Sequence, residues 1–282
     1  MPVPRQDFTV RNMTRKEVDL AIEWAAQEGW NPGVHDADCF YATDPGGFFV
    51  GLLNEEPISC ISAVAYDGGF GFLGFYIVKP GHRGRGFGLQ TWQKGLAYLG
   101  RRNVGLDGVV AQQDNYKKSG FKLAYRNIRY EGIGGGTAMP GVVDLAKIPF
   151  EDLVAYDRRL FPVQRPQFLR RWISQPERLA LGVLKNGQLA GYGVIRACRK
   201  GFKIGPLFAN DAEIAENLLQ TLSSHVSGQP VYLDIPEVNP AARALVERHS
   251  MKMVFETARM YTGTPPQLPI EKIFGVTTFE LG

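Results

Sequence analysis

The chain is 282 residues long, about right for two domains of roughly 140 residues each. Hydrophobic residues make up 44% and charged residues 21%, globular values that exclude a disordered chain and allow a core to form without disulfides or a structural metal. The net charge of +4, from 32 basic and 28 acidic residues, is too small to argue for nucleic acid.

Residues 6–12 read as a strand. Thr14-Arg15-Lys16-Glu17 is a capping box, with Val18, Ala21, Ile22 and Ala25 at helical spacing behind it. Residues 29–47, WNPGVHDADCFYATDPGG within them, carry turn residues and no clean period, so a long loop with room for one helical turn is expected. Phe48 to Leu53, Ile58 to Ala65 and Phe70 to Val78, separated by turn signals, predict an antiparallel meander. A helix follows from Gly88 to Arg102, with Leu89, Trp92, Leu96 and Leu99 on one face, then a strand from Val104 to Ala111. A short helix around Tyr116 and a strand from Phe121 to Tyr130 complete an α/β domain with a mixed sheet. The segment 132–141, GIGGGTAMPG, reads as a linker between a domain at 1–131 and a second at 142–282.

The second half echoes the first. Val104 to Asp107 matches Val231 to Asp234 at an offset of 127 residues. Lys118 to Lys122 matches Arg248 to Lys252, and Tyr125 to Arg129 matches Phe255 to Arg259, at 130. A period this long is a duplicated domain rather than a solenoid. Asn239-Pro240 is a helix start equivalent to the one near Tyr116.

No apolar run approaches the ~18 residues of a membrane span, and the start, MPVPRQDFTV, lacks the apolar core of a signal peptide. Cys39, Cys60 and Cys198 form no C-x-x-C pair, so no disulfide framework, no zinc site and a reducing, cytoplasmic setting are expected.

The charge is unevenly distributed. Between Asp67 and Asp107 there is no acidic residue, while Lys79, Arg83, Arg85, Lys94, Arg101 and Arg102 contribute six positive charges. Gly69 to Gly74 spells G-x-G-x-x-G, but the chain runs on into a strand, so it is not a dinucleotide fingerprint. The better signal is Val78-Lys79-Pro80-Gly81-His82-Arg83-Gly84-Arg85-Gly86-Phe87-Gly88, which leads from a strand into an amphipathic helix. Glycines at 84, 86 and 88 let successive backbone N–H groups turn to one point at the positive end of a helix, a cradle for a pyrophosphate.

This run resembles the R-x-x-G-x-G/A loop of the GNAT superfamily of N-acetyltransferases, as Arg83-x-x-Gly86-x-Gly88. Tyr116-Lys117-Lys118-Ser119-Gly120-Phe121 is similar to that family's Y-x-K-x-G-F. The resemblance implies two acyl-CoA N-acyltransferase domains in tandem, the second degenerate. Gly205 to Asp211 has no glycine series or arginine, and Val246 stands where Tyr116 stands in the first copy. It further implies one acetyl-CoA, held by Tyr76, Ile77, Val78, Arg83, Gly84, Arg85, Gly86, Phe87, Gly88, Asn115 and Lys118, with Tyr116 as the acid. The activity implied is acetyl transfer to the primary amine of a small molecule; the alternative is an acyl-CoA sensor without turnover, because Phe70 to Val78 carries no carboxylate to serve as base.

For the acceptor side the expected residues are Trp30, His35, Asp36 and Asp234, with Asp38 and Glu237 as further carboxylates and Phe40 and Tyr41 as walls. An amino-acid-like acceptor follows if the cluster Arg158, Arg159, Arg165, Arg170 and Arg171 points into the cleft. No nucleic-acid or membrane partner is expected, and the chain reads as a monomer or homodimer.

Overall fold

The computed structural model describes residues 7–282. The first six residues, part of the stretch read above for a signal peptide and of the strand read at 6–12, lie outside the described residues. The first half runs β1 (Phe8–Asn12), α1 (Arg15–Gln27), α2 (Asp36–Thr43), β2 (Phe48–Leu53), β3 (Glu56–Ala65), β4 (Phe70–Val78), α3 (Phe87–Leu99), β5 (Asn103–Val109), α4 (Gln113–Lys118) and β6 (Lys122–Ile133). The second runs β7 (Val142–Asp144), α5 (Phe150–Asp157), α6 (Pro166–Trp172), β8 (Arg178–Lys185), β9 (Gln188–Ala197), β10 (Phe202–Ala209), α7 (Ala212–Ser224), β11 (Pro230–Pro236), α8 (Pro240–Arg248), β12 (Lys252–Tyr261) and β13 (Ile273–Gly275).

Local chemistry accounts for most of these boundaries. Thr14 accepts from the Glu17 backbone N–H while Glu17 accepts from that of Thr14, and Val18, Ala21, Ile22 and Ala25 are buried behind this box. α3 stops at Leu99 rather than Arg102, because Gly100 turns to φ +60°. Leu89, expected on its buried face, is exposed instead. The loop read at 29–47 contains a full helix, α2, whose first turn carries Asp36 and Asp38, the charge that suits a helix N-terminus.

All strands join one mixed sheet in the order β1-β2-β3-β4-β5-β12-β6-β11-β10-β9-β8-β7, with β13 pairing β10. Alternation along the strands sorts the core into two faces. Cys60 and Val64 of β3 face α1, α2, α5 and α6, whose apolar residues form one cluster continuous across both halves. Ile61 and Ala63 face α3, and on the same side of the sheet α7 and α8 cover the second half.

The duplication is visible in hydrogen bonds. After α4, Phe121 N donates to Tyr116 O at 3.2 Å; after α8, Met251 N donates to Val246 O at 3.0 Å. Gly120 and Ser250 each take a positive φ at the equivalent turn. The two halves have, however, exchanged their last strands. β12 lies antiparallel to β5, where β6 belongs by the duplication, and β6 lies antiparallel to β11; β6 and β12 then pair with each other.

Candidate active site

The parallel ladder between β4 and β5 ends at Leu73 opposite Leu106. Beyond it β4 turns away, because Phe75 adopts φ +46° and the register against β3 slips between Cys60 and Ser62. A left-handed non-glycine residue in a strand is a bulge that bends it. Cys60 Sγ donates to Phe75 O at 3.0 Å and fixes the bend. Residues 74–78 therefore keep their ladder to β3 but present the other edge unpaired toward β5.

β4 continues into the glycine run. Gly84 and Gly86 take φ +72° and +85°, conformations that a β-carbon would strain. A β-carbon at 81, 84 or 86 would meet no atom within 4 Å, so the turn encloses open space. Gly86 is the N-cap of α3, and no side chain caps that helix, so its first-turn N–H groups face the same space. At Gly88 a β-carbon would come within 2.7 Å of Tyr76 Oη. Arg83 Nε donates to Val78 O at 2.7 Å, and its Nη2 donates to Glu28, so its guanidinium lies along the rim. The edge and the turn border a groove of about 500 Å³ that Tyr76, Ile77, Val78, Arg83, Gly84, Gly86, Gly88, Leu89 and Tyr116 line. The turn thus offers an anion N–H donors, a helix N-terminus and a positive rim, and the residues present fit a pyrophosphate-bearing ligand.

Tyr116 sits where this groove meets a smaller cavity of about 40 Å³ between the splayed strands. It stacks on Trp92 with centroids 5.5 Å apart, and Trp92 is itself fixed by Nε1 donating to Ser119 Oγ at 2.9 Å. Burial pushes the Tyr116 phenol up to about 12, with a further push from Tyr76. Tyr116 stays protonated at neutral pH. The inner cavity is walled by Trp30, Phe75 and Asp107 of the first half, and by Phe255, Thr257, Phe279 and Glu280 of the second.

The other expected residues lie elsewhere. Phe87 is buried with Leu53 and Ile58, Arg85 lies over the Phe87 ring at 5.1 Å, and Asn115 and Lys118 hydrogen-bond within α4. Trp30 lines both spaces, but His35 lies in a separate depression and contacts Glu177 at 3.3 Å. Asp36 is wholly buried against Arg196, at 2.7 and 3.0 Å. Asp234 is buried against Arg129, at 2.6 and 2.7 Å; burial alone would raise its carboxyl, and the Arg129 guanidinium holds it below the usual range. Asn239 caps the helix after Asp234, as its place before Pro240 predicts. Asp38 pairs with Arg15 and Glu237 accepts from Arg126 N. Phe40 is a core residue stacked on Trp172.

None of the arginine cluster lines the groove or the inner cavity, and Arg171 lines the depression that holds His35. Arg165 is buried on Asp157, at 2.8 and 2.9 Å, and Arg158, Arg159 and Arg170 lie on neighbouring backbone or rings. Sequence reading missed Thr257, Phe279 and Glu280, which reach the cavity through the strand exchange and the segment after β13. The one signal for that segment is Ile273 to Gly282, mostly apolar, with Glu280 as its one charged residue.

A mixed sheet that splays beside a glycine turn at a helix start is the architecture of an acyltransferase, and the chain belongs to the GNAT family. An Acetyltransferase (GNAT) family model matches residues 16–121 and an Acetyltransferase (GNAT) domain model matches residues 153–275, so two such domains stand in tandem. The chain is similar to the Holothin acyltransferase of Pseudoalteromonas sp. (strain SANK 73390), 30% identical over 280 residues that cover 98% of this chain and 95% of that one. In fold it matches a solved structure from Pyrococcus horikoshii with a TM-score of 0.85 at 22% identity, over 99% and 98% of the two chains. It also matches a tandem GNAT protein from the clavulanic acid biosynthesis pathway with a TM-score of 0.63 at 13% identity, over 92% and 100%. Among the described residues no helix is long and apolar enough to cross a membrane.

Proposed function

We propose that the protein is a cytoplasmic N-acetyltransferase that transfers an acetyl group from acetyl-CoA to the primary amine of a small molecule, by direct attack in a ternary complex. One observation carries the reading: a continuous path from the glycine turn, along the unpaired edge of residues 74–78, to Tyr116 at the mouth of the inner cavity. The turn holds the pyrophosphate, the free N–H and C=O groups of Tyr76 to Val78 pair with the amides of the pantetheine arm, and a backbone N–H of that edge polarises the thioester carbonyl. The Tyr116 hydroxyl donates a hydrogen bond to the departing sulfur. With the phenol at about 12 and a thiol near 8.5, full transfer of its proton is uphill by about 5 kcal/mol, so donation without transfer is the role assigned.

A single acetyl-CoA site in the first half is proposed, because in the second half β10 passes to α7 through Asn210 and Asp211 alone, and Asp211 caps the helix with its own side chain. Titration of the protein with acetyl-CoA by calorimetry tests this. One equivalent is expected; two would place a working site in the second half, and none would overturn the reading. A panel of small amines with thiol detection then tests turnover. Binding without turnover on any amine would favour a sensor, a reading that the absence of a carboxylate on β4 supports.

A further inference from the structure

An amine with a lysine-like pKa near 10.4 is protonated at pH 7, and freeing its lone pair costs about 4.6 kcal/mol. β4 offers no base, but the segment 276–282 brings one. Every residue of it is buried. It crosses from the second half to the first: Val276 N donates to Asp234 O at 2.8 Å, Arg165 Nη2 donates to Thr277 Oγ1 at 2.8 Å, and Tyr66 Oη donates to Leu281 O at 3.0 Å. The crossing meets β4 where that strand leaves β5. A β-carbon on Gly74 would collide with the Glu280 carbonyl, so only glycine lets the segment pass there.

Glu280 is 4% exposed and lines the inner cavity together with Tyr76, Tyr116 and Thr257. No side-chain hydrogen bond acts on its carboxylate among the described residues, and the Thr257 hydroxyl is buried without a partner. A buried hydroxyl without a partner and a carboxylate without a hydrogen bond, on two residues that line one cavity, call for a polar ligand group there.

The charges around Glu280 are Lys203 on β10, Asp36 on α2, Arg129 on β6 and Arg196 on β9. Arg129 is matched by Asp234 and Arg196 by Asp36. Lys203 donates to Asn31 O at 2.8 Å. Of the carboxylates and cations in this group, Glu280 and Lys203 are the two without an ion-pair partner within 4 Å among the described residues.

We propose that Glu280 is a catalytic residue of the transfer, the base that takes the proton of an ammonium acceptor, carried into the cleft of the first half by the far end of the second. The proposal rests on the acyl-transfer reading above. The Glu280 carboxylate accepts one proton from R–NH3+. The freed lone pair forms the C–N bond to the thioester carbonyl carbon, the C–S bond breaks and its electron pair leaves on sulfur. The second proton of the nitrogen ends on that sulfur, giving amide and thiol, and Glu280 returns its own proton to solvent after product leaves. Burial raises this carboxyl, against the pull of Lys203 and the two arginines and with a push from Asp36, toward the range where a base works at neutral pH.

The test compares wild type, Glu280→Gln and Glu280→Asp with acetyl-CoA and the amine panel. In E280Q, kcat/KM for the amine is expected to fall by about 10²-fold at pH 7, with acetyl-CoA affinity unchanged within about twofold. The plateau of kcat/KM above the titration of Glu280, present in wild type, is expected to give way to a steady rise of about tenfold per pH unit toward the pKa of the amine itself. E280D guards against misfolding of E280Q, since it keeps the carboxylate but withdraws it by one methylene; lower kcat/KM with the plateau retained supports the assignment. Wild-type kcat/KM and pH profile in E280Q, or full rate in E280D, would overturn Glu280 alone. Absence of acetyl-CoA binding or of thiol release in wild type would overturn the acyl-transfer reading, and the role of Glu280 with it.

Discussion

Arg259 on β12 grips Asp107 on β5 through two hydrogen bonds, 2.8 Å from Nε to Oδ1 and 2.5 Å from Nη2 to Oδ2. Its counterpart by the duplication, Arg129 on β6, holds Asp234 on β11 in the same bidentate way. Both pairs are buried and each spans the strand exchange, so the charges that latch the two halves are the repeat's own, each used on the other copy.

Breaking one latch leaves a buried charge unmatched. Arg259→Met is expected to lower stability by about 3–5 kcal/mol, measured by urea unfolding, with Asp107 left to Asn127 alone. Arg259→Met combined with Asp107→Leu is expected to cost less than the single change, because no charge is then stranded.

Tyr116→Phe keeps the ring on Trp92 and removes only the hydroxyl. It is expected to lower kcat by about tenfold or more, with calorimetric affinity for acetyl-CoA unchanged. Since the phenol titrates at about 12, wild-type activity is expected to show no alkaline loss from Tyr116 below about pH 11.

The glycine turn is testable from both sides. Gly86→Val forces a β-branched residue to φ +85°, a strain of about 1–3 kcal/mol, and is expected to abolish acetyl-CoA binding. Glu28→Gln removes the carboxylate that engages Arg83 at the rim of the groove. It is expected to tighten acetyl-CoA binding a few-fold at low salt, and less as salt is added.

Thr14→Ala removes half of the capping box and is expected to cost about 1 kcal/mol in thermal or urea unfolding. Glu17 on the same box is held down to about 2 from 4.5, chiefly by the Arg11 hydrogen bond, against a smaller opposing effect of burial. Its contribution is therefore complete above pH 4.5 and is lost as the pH falls toward 2, so Glu17→Gln is expected to converge on wild type at the acid end.

What the sequence displays depends on whether the signal is local. The meander, the capping box, the glycine turn and the helix at Tyr116 each arise from neighbouring residues, and Tyr76 to Val78, Arg83, Gly84, Gly86, Gly88 and Tyr116 do converge on one groove. The partner of β5 is a different matter. β6 and β12 are echoes of each other with the same pattern, so choosing between them is a tertiary decision that no window of sequence contains. Asp36 and Asp234 have the same difficulty: a carboxylate near a cleft reads alike whether it faces the ligand or a buried arginine brought from 160 or 105 residues away. Glu280 lies 164 positions beyond Tyr116, and only the course of segment 276–282 sets both on one cavity.

The exchange of β6 and β12 bears on what a shorter chain would do. A fragment of residues 7–133 carries β5 with its edge open and β6 with no β11 to receive it. Cut between its halves, the chain loses the pairing of β5 with β12 and of β6 with β11, so neither half keeps the sheet that it has in the intact protein.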